Sequence, residues 1–120
     1  MKQSKLTNLL LSALLLVSTY TMAWGEETSQ GNYQLFCAQC HGTLSNGQGI
    51  NQTAGGLNVS ARDHTNTVEM AKLTDEEIKS AIAEGGKFVD KSSLMPAFKE
   101  SLSPSEIDEL VQYLRQLCAC

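Results

Sequence analysis

Apolar residues recur at helical spacing near the end of the chain, and this is its clearest pattern. Ser103-Pro104-Ser105-Glu106 supplies an N-cap serine, a proline in the first turn and a glutamate at the helix start. The apolar positions that follow fall on one face of a helix, and they are Ile107, Leu110, Val111, Leu114 and Leu117. The pattern predicts a final helix with one apolar stripe.

Earlier segments also carry helical signals. Residues 31–40 predict a first helix, and residues 68–73 predict a short helical turn. Thr74-Asp75-Glu76-Glu77 is a capping box for a helix that ends at Gly85-Gly86. Residues 42–58 are dominated by Gly, Asn, Gln, Ser and Thr, which predicts a loop. No segment shows a convincing strand pattern, so the predicted fold class is all-α.

The N-terminal residues have the composition of an export signal. Lys2 and Lys5 precede an apolar run over 6–17, and small residues follow at 21–23. The run is too short for a comfortable membrane span, although an uncleaved anchor is the alternative. We interpret 1–23 as a cleaved secretory signal peptide and 24–120 as a single domain. The expected location is the periplasm or an equivalent exported compartment, without stable membrane insertion after cleavage.

The net charge of the mature chain limits the classes of partner that it can bind. Loss of the signal leaves seven basic and thirteen acidic residues, a net charge of −6. This acidity argues against nucleic acid or an anionic membrane surface as a partner. A domain of this size buries a limited core and often depends on a covalent or metal staple.

The string Cys37-Ala38-Gln39-Cys40-His41 carries the strongest chemical signal. C-x-x-C-H is the pattern by which a c-type haem is attached, because two thiols can add to the vinyl groups of one porphyrin while the imidazole reaches the iron. Half a zinc site, a redox dithiol and a plain disulfide are the alternatives. Zinc needs four ligands, and the other thiols and imidazole are Cys118, Cys120 and His64. No strand–helix–strand pattern of a thioredoxin surrounds the motif.

A haem iron bound by His41 leaves a sixth position, for which His64, Met70 and Met95 are the candidates. Pro96 keeps Met95 out of helical conformation, so Met95 can project from a loop. Its thioether is a neutral ligand that favours ferrous iron. We interpret Met70 as a core residue, and His64 as a polar loop residue near a haem propionate or a backbone carbonyl.

These motifs give the chain a family resemblance that covers nearly all of the mature sequence. It resembles the class I c-type cytochromes through an ordered set of segments: Gly31, Phe36, Cys37-Ala38-Gln39-Cys40-His41-Gly42, Arg62-Asp63-His64-Thr65, Leu73-Thr74-Asp75-Glu76-Glu77-Ile78, Gly85-Gly86, Met95-Pro96-Ala97-Phe98, Leu102-Ser103 and Val111-Gln112-Tyr113-Leu114-Arg115. The likeness implies a small helical fold wrapped around one covalent haem c. It also implies crossed terminal helices, with Gly31 at the close approach and Phe36 near Tyr113.

The resemblance implies roles for four residues. Cys37 and Cys40 would form the thioethers, His41 would be the proximal iron ligand, and Met95 the distal one. The expected function is electron transfer between redox protein donors and acceptors by cycling ferric and ferrous iron, not enzyme catalysis. A haem-bearing subunit of a larger oxidoreductase and a gas-binding or sensing haem protein are the alternatives.

Two charged or reactive features remain. Lys87, Lys91 and Lys99 make the loop over 85–99 locally positive, which could orient a docking partner. Cys118 and Cys120 depart from the family pattern, and in an oxidising compartment they are expected to form a disulfide. The bond could lie within one molecule, where it closes a small ring, or link two molecules in a covalent dimer.

Overall fold

The computed structural model describes residues 23–53, 55 and 58–120. Its regular elements in those ranges are all helical, which confirms the predicted all-α class. The predicted signal peptide lies outside the described residues except for Ala23. In chain order the elements are α1 Ala23–Asn32, a π-helical segment Tyr33–Cys37, α2 Ala38–His41, α3 Ile50–Thr53, α4 Thr67–Met70, α5 Asp75–Glu84, a 3₁₀ helix Gly86–Val89 and α6 Pro104–Cys118. No helix in this part of the chain is long and apolar enough to cross a membrane.

The first helical stretch begins earlier than the sequence predicted. Within the described residues it runs from Ala23, rather than from residue 31, through the π-helical segment to His41. Gly31 therefore lies inside a helix, where a glycine costs only about 1 kcal/mol relative to alanine. Packing of α1 against α6 outweighs that local cost.

The predicted crossing of the terminal helices is present, but its contact residues differ. Ser29 is buried, and the Tyr33 ring lies 5.5 Å from that of Tyr113 on α6. Gly31 is exposed, and nothing lies within 4 Å of the position that a Cβ would take there. Phe36 instead meets Phe98, with the ring centroids 5.8 Å apart. Positions four apart share a helix face, so the residues that face α6 are 29 and 33 rather than 31 and 36.

Both predicted helix starts form, and each has the hydrogen bonds of a capping box. The Ser103 hydroxyl accepts from the Glu106 amide, and the Glu106 carboxylate accepts from the Ser103 amide at 2.8 Å. Thr74 and Glu77 make the same exchange at the start of α5. The stripe of α6 is buried except for Leu117, which is partly buried. These caps fix the two helices whose apolar faces build the core.

Where the structure describes it, the stretch predicted as a loop contains a short helix, α3. Gly49 packs on the preceding motif through its amide, which donates to the Cys40 carbonyl at 3.0 Å, and the Gln52 amide then donates to the Gly49 carbonyl. That anchoring starts a helical turn that composition alone does not indicate. The predicted turn near residue 68 is α4, and Met70 at its end is 1 % exposed, as expected of a core residue.

Candidate cofactor site

The C-x-x-C-H motif lies at the end of the first helical stretch, and the following loop folds back over it. The Gly47 amide donates to the His41 carbonyl at 2.8 Å. Gly49 has no room for a side chain, because a Cβ there would fall on the backbone of Gln39 and Cys40. The composition of the loop thus permits a close wrap that holds the motif in place.

His41 has one ring nitrogen engaged and one available. Its Nδ1 lies 2.9 Å from the Arg62 carbonyl oxygen. A carbonyl can only accept, so Nδ1 carries the hydrogen and Nε2 keeps its lone pair. Burial lowers the pKa of His41, which favours the neutral ring. A neutral imidazole oriented through its other nitrogen is the usual form of a histidine metal ligand.

The two motif cysteines are free thiols. Burial, with a smaller contribution from Cys40, raises the pKa of Cys37 to about 12. A reactive redox dithiol needs a lowered thiol pKa, so this environment disfavours that alternative. Across residues 23–53, 55 and 58–120, no group of three or more Cys, His, Asp or Glu side chains could hold a metal ion. The zinc alternative therefore lacks its remaining ligands there.

A cavity of about 600 Å³ adjoins the motif. This volume lies within the usual range for small-molecule and cofactor sites. A larger but more open groove lies between α5 and α6 and includes none of the predicted ligands. The smaller cavity brings the motif together with apolar core residues from α5 and α6, and its wall includes Cys37, Cys40, His41, Ile78, Ile82, Met95, Leu110 and Leu114.

Met95 lies in the wall of that cavity, half-buried, on a loop tied to the end of α5. Its carbonyl accepts from the Gly86 amide at 3.0 Å. Gly85 takes a φ of +85°, and a Cβ there would lie 2.9 Å from the Met95 carbonyl oxygen. The glycine pair expected only to end the helix thus also seats the loop that carries Met95.

His64 departs from its predicted setting. It is buried at 8 % exposure, and its ring stacks on His41 with centroids 4.1 Å apart and planes 18° apart. Its Nδ1 lies 2.9 Å from the Tyr33 hydroxyl rather than near a backbone carbonyl. Burial, together with His41 and Arg62, holds the pKa of His64 well below its usual range. Tyr33 was missed at the sequence level, although its place four residues before Cys37 is a usable signal.

This donor set fits a covalently attached haem. Two cysteines outside any disulfide and a neutral imidazole with a free Nε2 border one largely apolar cavity, and a thioether lies in its wall. Haem ligation by histidine and methionine uses these groups.

Comparisons with known proteins agree with this fit. A sequence model of the family described as cytochrome c oxidase, cbb3-type, subunit III matches residues 26–114. The solved structure of the KustC0563 c-type cytochrome is similar with a TM-score of 0.58 and 30 % sequence identity, over 74 % of this chain and 95 % of that one. A search of curated proteins found no match.

Proposed function

This chain belongs to the class I c-type cytochromes, in the family described as cbb3-type subunit III, and on that premise we propose that it is a periplasmic carrier of single electrons. Membership implies one covalent haem c, whose iron cycles between the ferric and ferrous states. Domains of this family are generally exported, which agrees with the signal-like residues before Ala23.

We propose that Cys37 and Cys40 attach the haem, that His41 binds the iron through Nε2, and that Met95 supplies the distal sulfur. The observation that carries these roles is the hydrogen bond from His41 Nδ1 to the Arg62 carbonyl, since it leaves Nε2 as the ligating atom. The wall of the cavity is largely apolar. Burial and a neutral thioether both favour ferrous iron and raise the reduction potential.

The docking surface is proposed on the loop over 85–99, with one change from the sequence prediction. Lys99 pairs with Glu84 at 2.7 Å, so its charge is largely compensated. Lys87 and Lys91 are exposed, and the same loop exposes Phe88 and Leu94 at 66 % and 53 %. Apolar contact beside two cationic groups suits an acidic redox partner.

A haem-bearing subunit of a larger oxidoreductase is the second candidate, and the description of the matched family favours it. The two candidates differ in assembly rather than in chemistry. Isolation of the native chain under mild conditions separates them: a carrier is recovered alone, whereas a subunit is recovered with a catalytic chain in fixed ratio.

Haem attachment is tested by acid–acetone extraction of protein matured in a host with haem-attachment machinery. We expect wild-type haem to stay with the protein, and the Cys37→Ala, Cys40→Ala double variant to release it. The variant should also be poorly folded, because a core this small depends on the cofactor. Extractable haem in the wild type would overturn the proposal.

Distal ligation is tested by a matched pair of substitutions. Met95→Leu and Met70→Leu each replace a thioether by a side chain of similar volume, which usually costs less than 1.5 kcal/mol. We expect Met95→Leu to abolish the near-infrared charge-transfer band of Met–Fe(III) and to admit exogenous ligands. Met70→Leu should keep the band. The reverse outcome would assign the ligand to Met70, and absence of the band from the wild type would favour a gas-binding or open site.

A further inference from the structure

Tyr33 and His64 form a buried polar pair directly behind the proposed iron ligand, and we propose that this pair positions the His41 imidazole. The inference rests on the proposed role of His41. The hydrogen bond to Arg62 fixes one edge of the ring. It does not by itself fix the tilt of the ring plane, because hydrogen-bond angles at a carbonyl are broad. A flat group stacked on the ring face supplies that second restraint.

The stacking geometry is close and nearly parallel. The centroids of the His41 and His64 rings are 4.1 Å apart, and their planes differ by 18°. A rotation of His41 about its side-chain bonds would therefore collide with His64. The His64 ring sets the plane in which Nε2 is presented to the cavity.

His64 can act as a restraint because it is itself held at both ends. Its backbone amide donates to the Ser45 carbonyl at 2.8 Å, and its Nδ1 lies 2.9 Å from the Tyr33 hydroxyl. The Tyr33 ring meets His64 edge-on, with centroids 5.7 Å apart. Tyr33 is fully buried and packs on Tyr113. The helix crossing is thereby connected through two rings to the proposed ligand.

The chemistry of the pair also points to a specific role. An apolar side chain at position 64 could fill the space without a partner, whereas a buried imidazole is costly unless it is hydrogen-bonded. Pairing with a phenol in a mainly apolar cavity restricts both rings to one arrangement. Because His64 stacks on His41, holding His64 in one arrangement also holds the orientation of the His41 ring.

The test compares variants in the loaded protein by a readout of ligand orientation. Tyr33→Phe deletes the hydrogen bond and keeps the ring, and His64→Leu deletes the stacking ring. Tyr113→Phe is the matched control, since it removes a hydroxyl from the ring next to Tyr33. The readouts are the anisotropy of the ferric electron paramagnetic resonance spectrum and the spread of the haem methyl shifts, with the reduction potential.

We expect Tyr33→Phe and His64→Leu to change the anisotropy and the methyl spread while both proposed iron ligands stay bound. At the midpoint potential of the wild type, the ratio of reduced to oxidised protein should change about three-fold in these variants. That is less than the roughly 10–100-fold loss of metal affinity or activity that follows removal of a hydrogen-bonded partner of a metal ligand. Tyr113→Phe should resemble the wild type. If both test variants match that control while the wild type shows His–Met ligation, the positioning role is wrong and the proposed function stands. If the wild type lacks such ligation, the proposed function itself fails.

Discussion

Substitution of Gly85 by alanine should disturb the Met95 loop from outside the cofactor cavity. Gly85 ends α5 with φ +85° and ψ 168°, a backbone region that is essentially restricted to glycine. A Cβ at this position would lie 2.9 Å from the Met95 carbonyl oxygen and 3.0 Å from the Ala97 amide nitrogen. These neighbours are backbone atoms, so the loop must move to make room.

The size of the effect follows from opposing contributions. A non-glycine residue in this conformation costs about 1–3 kcal/mol, and displacement of the loop adds to that. Alanine also lowers the conformational entropy of the unfolded chain, which stabilises the folded state by about 0.4–1 kcal/mol. We expect a net loss of about 2 kcal/mol in the free energy of unfolding. For a domain of this size that lowers Tm by roughly 8–16 °C.

The assay is thermal unfolding of the ferric protein, followed together with the near-infrared band of Met–Fe(III). Gly85→Ala should lower Tm and weaken the band, because the same loop positions Met95. Gly31→Ala is the matched control: that glycine lies inside the first helical stretch with nothing within 4 Å of a Cβ. It should raise the free energy of unfolding by about 0.5–1 kcal/mol and leave the band unchanged. An unchanged Tm and band in Gly85→Ala would refute the reasoning.

Two further predictions concern the surface and the C-terminus. The double variant Lys87→Glu, Lys91→Glu should slow electron transfer to an acidic partner about ten-fold at low salt, with little change in reduction potential, and the difference should shrink as salt screens the charges. The control is Lys79→Glu, because Lys79 already pairs with Asp108. Equal rates for the double variant and the wild type would show that Lys87 and Lys91 do not contribute to docking. The structure pairs Cys118 with Cys120 within one chain, so unreduced protein should run as a monomer on a non-reducing gel and show no titratable thiol beyond the haem linkage, whereas a reducible dimer or two free thiols would contradict that pairing.

The helices with explicit start signals could be predicted from the sequence. Thr74 and Ser103 each begin a helix because a side-chain oxygen and a glutamate three residues later satisfy amides that have no partner within the helix. The first helical stretch carries no such signal near residue 31, and its apolar residues do not repeat cleanly. Its face toward α6 is therefore set by tertiary packing, which selects Ser29 and Tyr33 over Gly31 and Phe36.

The residues of the site likewise divide into those that the sequence predicts and those that only the structure brings together. Cys37, Cys40 and His41 are adjacent in sequence, so their pattern is readable without a structure, and Pro96 marks Met95 as a loop residue. The partner of His64 is 31 residues away along the chain. No local pattern relates a tyrosine in the first helical stretch to a histidine in a later loop, so that pair becomes visible only in the folded chain, where His64 also stacks on His41.

The π-helical segment links the helix crossing to the site. In a regular α-helix, positions four apart drift around the axis, because a turn takes 3.6 residues. The Ala38 amide donates to the Tyr33 carbonyl five residues earlier, and this wider turn offsets the drift. Ser29 and Tyr33 are buried, and Cys37 packs against the core cluster. One helical turn of altered pitch thus lets the same stripe serve the contact with α6, the hydrogen bond to His64 and the first proposed thioether, which accounts for an irregular turn at this position.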